Sequence, residues 1–91
     1  GFQPGSLIYI ANALAYSRVG VVASRKVGGA VVRNKAKRWM RELFRRNRDL
    51  LDSPIDLLIV ALPDLARATW AEVREEYTLA VQELSRRLKR R

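Results

Sequence analysis

Residues 24–42 read SRKVGGAVVRNKAKRWMRE, and this stretch decides the architecture. At about 100° per residue, Val32, Ala36, Trp39, Met40 and Leu43 share one helical arc of roughly 100°. Arg33, Asn34, Lys37, Arg38, Arg41 and Arg45 fill an adjacent arc of roughly 140°. One side is therefore built to pack on a sheet, and the other is almost purely cationic. Like charges fall four residues apart at Arg33/Lys37, Lys37/Arg41 and Arg41/Arg45, and each such pair costs a few tenths of a kcal/mol. A merely solvated face would intersperse acids, but Glu42 is the single acid here. The pattern strains the free protein and suits a polyanionic partner. Asn34 adds an amide able to reach a ribose hydroxyl or a base edge, where cations mainly reach phosphate. Ser24-Arg25-Lys26 and Gly28-Gly29 lead into the helix, whose first N–H groups attract anions.

Working outward, the spacing predicts a helix from Ala30 to about Asn47. Upstream, the β-branched and aromatic stretch Leu7–Ala11 and the stretch Arg18–Ser24 predict two strands. The short link between them predicts antiparallel neighbours. Downstream, Ser53-Pro54 marks a turn, and Ile55–Leu62 predicts a third strand, apolar enough to be buried on both faces. Thr69 and Glu72 form a capping box that opens a last helix running to about Lys89. Glu72, Glu75 and Glu76 stand early in that helix and the basic residues late, as the helix dipole favours. Strand, basic helix and third strand form one βαβ unit.

The chain has 91 residues, enough for one domain. It contains no cysteine and no histidine. Disulfides, Ser-His and Cys-His nucleophilic sites and the usual zinc ligand sets are thereby excluded. Eighteen Lys and Arg stand against nine Asp and Glu, a net charge of +9. Only four of the eighteen are lysine. Arginine pairs bidentately with phosphate and stacks on bases, so this bias points to nucleic acid. Ten of the basic residues fall in 25–48, and five more in 86–91. The longest apolar run, 57–63, is far short of the roughly 20 residues a membrane span needs. No leader-like apolar segment opens the chain, and a cytoplasmic location is expected. Asp49, Asp52, Asp56 and Asp64 are spread over loops and strand ends, where turn formation explains them more simply than a magnesium site. Glu83 and Arg87 make an ordinary i,i+4 pair. Trp39 and Trp70 are read as core or core-edge residues.

The stretch 24–42 closely resembles the signature of the bacterial ribonuclease P protein family, roughly S-[KR]-K-x-G-x-A-V-x-R-N-x-x-K-R-x-x-R-E, and meets every fixed position. The flanks Arg18-Val19-Gly20-Val21 and Ile55-Asp56-Leu57-Leu58-Ile59 agree, so the resemblance covers about residues 5–90. It implies an α+β two-layer sandwich, a small mixed β-sheet packed by helices. That fold is ribosomal-protein-S5-domain-2-like, with a left-handed βαβ crossover, although general rules favour the right-handed one. It implies a protein subunit of an endoribonuclease that removes the 5′ leader of precursor tRNA. Chemistry is expected from the catalytic RNA with Mg²⁺, with no catalytic or metal-ligating residue in this chain. The implied partners are ribonuclease P RNA and precursor tRNA, with no membrane and no DNA. The RNA-binding residues are then Arg25, Lys26, Arg33, Asn34, Lys37, Arg38, Arg41 and Arg45. Tyr9, Val22 and Ser24 are expected to line a cleft, between the basic helix and the sheet, that receives the single-stranded leader. The resemblance departs at the N-terminus: the family's further helix and strand are expected to be absent here or reduced to Phe2, so part of the sheet or cleft is expected to lie open.

The residues alone leave other classes standing. A non-catalytic RNA-binding protein of ribosomal type shares the basic helix without needing the whole signature. A DNA-binding helix module fits the strand–helix–strand context poorly. A membrane-surface helix conflicts with the use of the apolar arc for the core.

Overall fold

Three strands and two long helices make up the structure, a computed structural model that describes residues 1–51 and 53–89. Asp52 and the last two residues of the basic tail, Arg90 and Arg91, lie outside the described residues. In chain order the elements are β1 (Gly5–Ala11), β2 (Arg18–Ala23), α1 (Ala30–Arg46), β3 (Ile55–Ala61) and α2 (Trp70–Lys89). Short 3-10 helices at Arg48–Leu50 and Pro63–Arg67 flank β3.

The strand extents follow the sequence pattern, but their order does not. β3 lies in the centre, antiparallel to β1 (Gly5↔Ala61 through Ala11↔Ile55) and parallel to β2 (Arg18↔Asp56 through Ala23↔Ala61). The expected β1–β2 pairing is therefore replaced by insertion of β3 between them. The reason is hydrophobic. β3 is the most apolar strand, and the central position gives it two partners, whereas Arg18 suits an edge.

Register then sorts the side chains. Ile55, Leu57, Ile59 and Ala61 are buried, and they face the helices together with Leu7, Tyr9, Val19 and Val21. From α1 come Ala36, Met40, Leu43 and Phe44, and from α2 come Val73, Tyr77, Val81 and Leu84. These residues form one contiguous core between the sheet and a single helical layer. The outer face of β3 is not buried as expected: Leu58 is exposed beside Ile8, Ile10 and Val22. An antiparallel pair commonly leaves one face uncovered, and β1–β3 does so here.

The capping box forms as predicted. Glu72 N donates to Thr69 Oγ1 at 3.2 Å, and Thr69 N donates to Glu72 Oε1 at 2.9 Å. α1 is capped differently. Its N-cap is Gly29, which offers no side chain, and no acid occupies its first turn. At the other end Asn47 Nδ2 donates to the Leu43 carbonyl at 2.9 Å.

Of the two glycines before α1, only Gly28 has a positive φ, at 154°. A Cβ there would meet Val32 Cβ and Cγ1 at 3.0 Å, whereas one at Gly29 meets nothing within 4 Å. Gly28→Ala is therefore expected to destabilise the fold by about 1–3 kcal/mol, and Gly29→Ala by no more than about 0.5 kcal/mol. Urea unfolding of the two variants checks this; equal losses would show that the strain is not local to Gly28.

Candidate nucleic-acid interface

The packing of α1 determines which of its basic side chains are available. Phe44 is buried on the edge of the helix that the sequence assigned to cations. Its burial turns that edge towards the protein, so Arg33 and Lys37 are only half-exposed. Arg33 Nε is shielded from solvent and has no hydrogen-bond partner among the described residues. Asn34, Arg38, Arg41 and Arg45 stand fully outward. No ion pair engages Arg33, Lys37, Arg38 or Arg41 among the described residues.

Arg45 behaves differently. Glu42 accepts from Arg45 and also from Arg46 Nε at 3.1 Å, which holds its carboxyl below the usual carboxylate range. The single acid of the basic segment thus neutralises its C-terminal end and leaves the N-terminal three turns uncompensated. Arg25 and Lys26 extend that field: both are exposed in the turn between β2 and α1, where Ser24 Oγ accepts from Lys26 N at 3.3 Å.

The three expected cleft residues do not share one cleft. Ala36, Met40, Leu43 and Phe44 fill the space between α1 and the sheet, so no groove separates them. Tyr9 pairs with Leu57 and points to the helical side, where it lines a groove of about 210 Å³ with Leu7, Glu83, Leu84 and Arg87 of α2. Val22 pairs with Val60 on the opposite, outer face. Ser24 follows β2 and is exposed. Alternation along a strand separates an odd from an even position, so Tyr9 and Val22 could share a face only if their registers differed.

The outer sheet face has its own polar rim, which the sequence reading missed. Arg18 forks onto Asp56, with Nε to Oδ1 at 2.8 Å and Nη2 to Oδ2 at 2.6 Å. Asn12 Nδ2 donates to Asp56 Oδ1 at 2.9 Å, and Asn12 Oδ1 accepts from Leu14 N at 2.9 Å. The Arg18 and Asn12 hydrogen bonds depress the Asp56 carboxyl to about 2. A carboxylate held this firmly ionised is a poor general acid or base near neutral pH. Its place is structural: it ties β2 to β3 and to the β1–β2 link. Arg18 and Asp56 are cross-strand partners in register, so the pairing scheme, once known, gives the ion pair away.

Glu83 accepts from Arg86 and from Arg87 Nε, the latter at 3.5 Å, as the i,i+4 spacing implies. Among the described residues no three acids converge in the manner of a metal site, and no helix is long and apolar enough to cross a membrane.

With this geometry established, the known proteins like it are consistent with one another. The profile of the family described as Ribonuclease P matches residues 2–85. The ribonuclease P protein component of Thermotoga maritima is 39% identical over 74 residues, covering 77% of this chain and 63% of that protein. The component of Kocuria rhizophila is 45% identical over 73 residues, covering 80% and 65%. The matches thus span just under two thirds of these relatives' length. A solved structure of the T. maritima RNase P protein in complex with 1-(4-fluorophenyl)-2-thiourea superposes with a TM-score of 0.79. It is 34% identical and covers 88% of this chain and 78% of that one. The Staphylococcus aureus RNase P protein shares the fold at a TM-score of 0.76.

Proposed function

The chain belongs to the ribonuclease P protein family, and on that premise we propose that it is the protein subunit of ribonuclease P. In this reading it binds the catalytic RNA and the 5′ leader of precursor tRNA, and so promotes endonucleolytic removal of the leader. The observation that carries the proposal is the uncompensated cationic face of α1, with Asn34, Arg38 and Arg41 outward and no acid among the described residues paired to either arginine. Such a face is stable only weakly on its own and gains most from phosphate.

Arg25, Lys26, Arg33, Lys37, Arg38 and Arg41 supply phosphate contacts, and Asn34 a sugar or base contact. Arg45 contributes less, because Glu42 already holds it. Tyr9 offers the leader an aromatic face in the groove between β1 and α2; Arg87 lines the same groove but, like Arg45, is already paired with an acid, Glu83. Val22 falls outside that groove. The bond-breaking chemistry belongs to the RNA with Mg²⁺; this chain's residues position and neutralise. Mg²⁺ has no binding role assigned on the chain itself.

The test is precursor-tRNA cleavage by RNA, protein and both together across a magnesium series. The protein alone is expected to cleave nothing specifically. Added to a cognate RNA, it is expected to restore leader removal at low Mg²⁺, where phosphates of enzyme and substrate repel each other. Its advantage should shrink at high Mg²⁺ as ions take over the screening. Site-specific cleavage by RNA-free protein would overturn the assignment of chemistry to the RNA. Failure to stimulate any cognate RNA would point to a ribosomal-type role.

A further inference from the structure

On the flank of α1 that borders the cationic face, the chain's only two tryptophans, one from each helix, meet at the edge of the core. Trp39 of α1 and Trp70, the first residue of α2, lie edge to face, with ring centroids 5.5 Å apart and planes at 70°. Both rings are half-buried and pack against the edge of the core, as the sequence reading expected, leaving part of each at the surface. Beside the pair lies an open surface cleft of about 260 Å³ lined by Arg38, Trp39, Glu42 and Trp70. Each ring also carries a cation: Lys35 Nζ lies 4.5 Å from the Trp39 centroid, and Arg46 Cζ lies 5.5 Å from that of Trp70.

Packing alone gives an incomplete account of this arrangement. A tryptophan pair that only closed the core edge would gain by burying both ring faces. Here the covering groups are exposed cations: Arg46 is also tied to Glu42, but Lys35 has no ion pair among the described residues and is held over Trp39 by a cation–π attraction of about 0.5–1 kcal/mol. A cation so weakly held leaves readily for a phosphate, and its departure bares an indole face. Arg38 lines the cleft and belongs to the outward cationic row, so the phosphate track leads directly to the rings. Aromatic faces beside a basic track are the usual means of holding unpaired bases.

We propose that the Trp39–Trp70 cleft receives a single unpaired nucleobase of the bound RNA. The base stacks on the indole face of Trp39 vacated by Lys35, while Arg38 holds the adjoining phosphate. This rests on the RNA-binding reading given above, and it adds a base-stacking site to a face otherwise described by phosphate contacts alone.

Because Trp39 and Trp70 are the only tryptophans, indole fluorescence reports on this cleft alone. The probe is a short single-stranded oligoadenylate RNA, titrated into the chain beside the same oligomer made of abasic riboses. The oligoadenylate is expected to quench the emission saturably and to bind about five- to a hundredfold more tightly than the abasic oligomer. Trp39→Phe and Trp70→Phe, which keep an aromatic face, should retain most of that difference. Trp39→Leu should lose a large part of it, with its fold checked by circular dichroism. Equal affinity for both oligomers, or binding without quenching, overturns the stacking site even if both bind with steep salt dependence. Absence of binding to either oligomer and to ribonuclease P RNA would instead overturn the RNA-binding reading itself.

Discussion

Affinity for RNA is expected to fall about 250- to 1,000-fold between 50 and 200 mM monovalent salt, a slope of roughly −4 to −5 in log K against log salt. The figure follows from six phosphates neutralised, at about 0.7–0.9 counterions released for each. Six is the number of basic side chains among the proposed contacts that lack an ion-pair partner among the described residues: Arg25, Lys26, Arg33, Lys37, Arg38 and Arg41. Arg45 is left out because Glu42 competes for it. Filter binding across a salt series measures the slope. A value near −1 would refute phosphate-dominated binding. A value well above six phosphates' worth would bring in Arg45, Arg46 or the C-terminal basic residues.

The second large effect belongs to α1 itself. Replacing Arg38 and Arg41 together by alanine is expected to weaken RNA binding by on the order of 3 kcal/mol, at roughly 1.5 kcal/mol for each charged hydrogen bond. That is a loss of about a hundredfold, and the salt slope should flatten by about 2. The fold should be unharmed. Both side chains are fully outward, and the Lys37/Arg41 and Arg41/Arg45 repulsions disappear with Arg41. Thermal unfolding of the free variant should therefore match or slightly exceed that of the parent. Arg33→Ala is a different experiment, because its stem is half-buried and its truncation also removes packing. Unchanged affinity in the double variant would remove α1 as the principal contact surface.

How far these residues could be read without coordinates depended on the range of the interactions involved. The 3.6-residue periodicity of Val32, Ala36, Met40 and Leu43 and the reciprocal bonds of Thr69 and Glu72 are local, and both appeared where the sequence placed them. Strand order is not local. Proximity in the chain favours pairing β1 with β2, but the gain from burying β3 between two neighbours outweighs it. The same long-range pairing created the Arg18–Asp56 fork and separated Tyr9 from Val22. Phe44 illustrates a subtler limit. An arc drawn from helix geometry alone has no knowledge of where the neighbouring strands end, so the cationic face looked wider than it is. The outward set Asn34, Arg38 and Arg41 was legible because no core residue among those described covers that side of the helix.

The central position of β3 also bears on how the molecule is made. As the chain leaves the ribosome, both edge strands and the basic helix emerge before the strand that joins them. Gly5 must wait for Ala61, and Ala11 for Ile55. Neither early strand has a lasting ladder partner until then, so no half-sheet forms as a stable stepping stone. Contacts this distant in the chain slow folding, since loop closure must come before any reward. A nascent chain halted before Ile55 would thus leave Leu7, Tyr9, Val19 and Val21, which the finished fold packs against its core, with nothing to hold them, while its arginines were already in reach of the ribosome's own RNA. Synthesis of this protein is safest when residues 55–61 follow quickly.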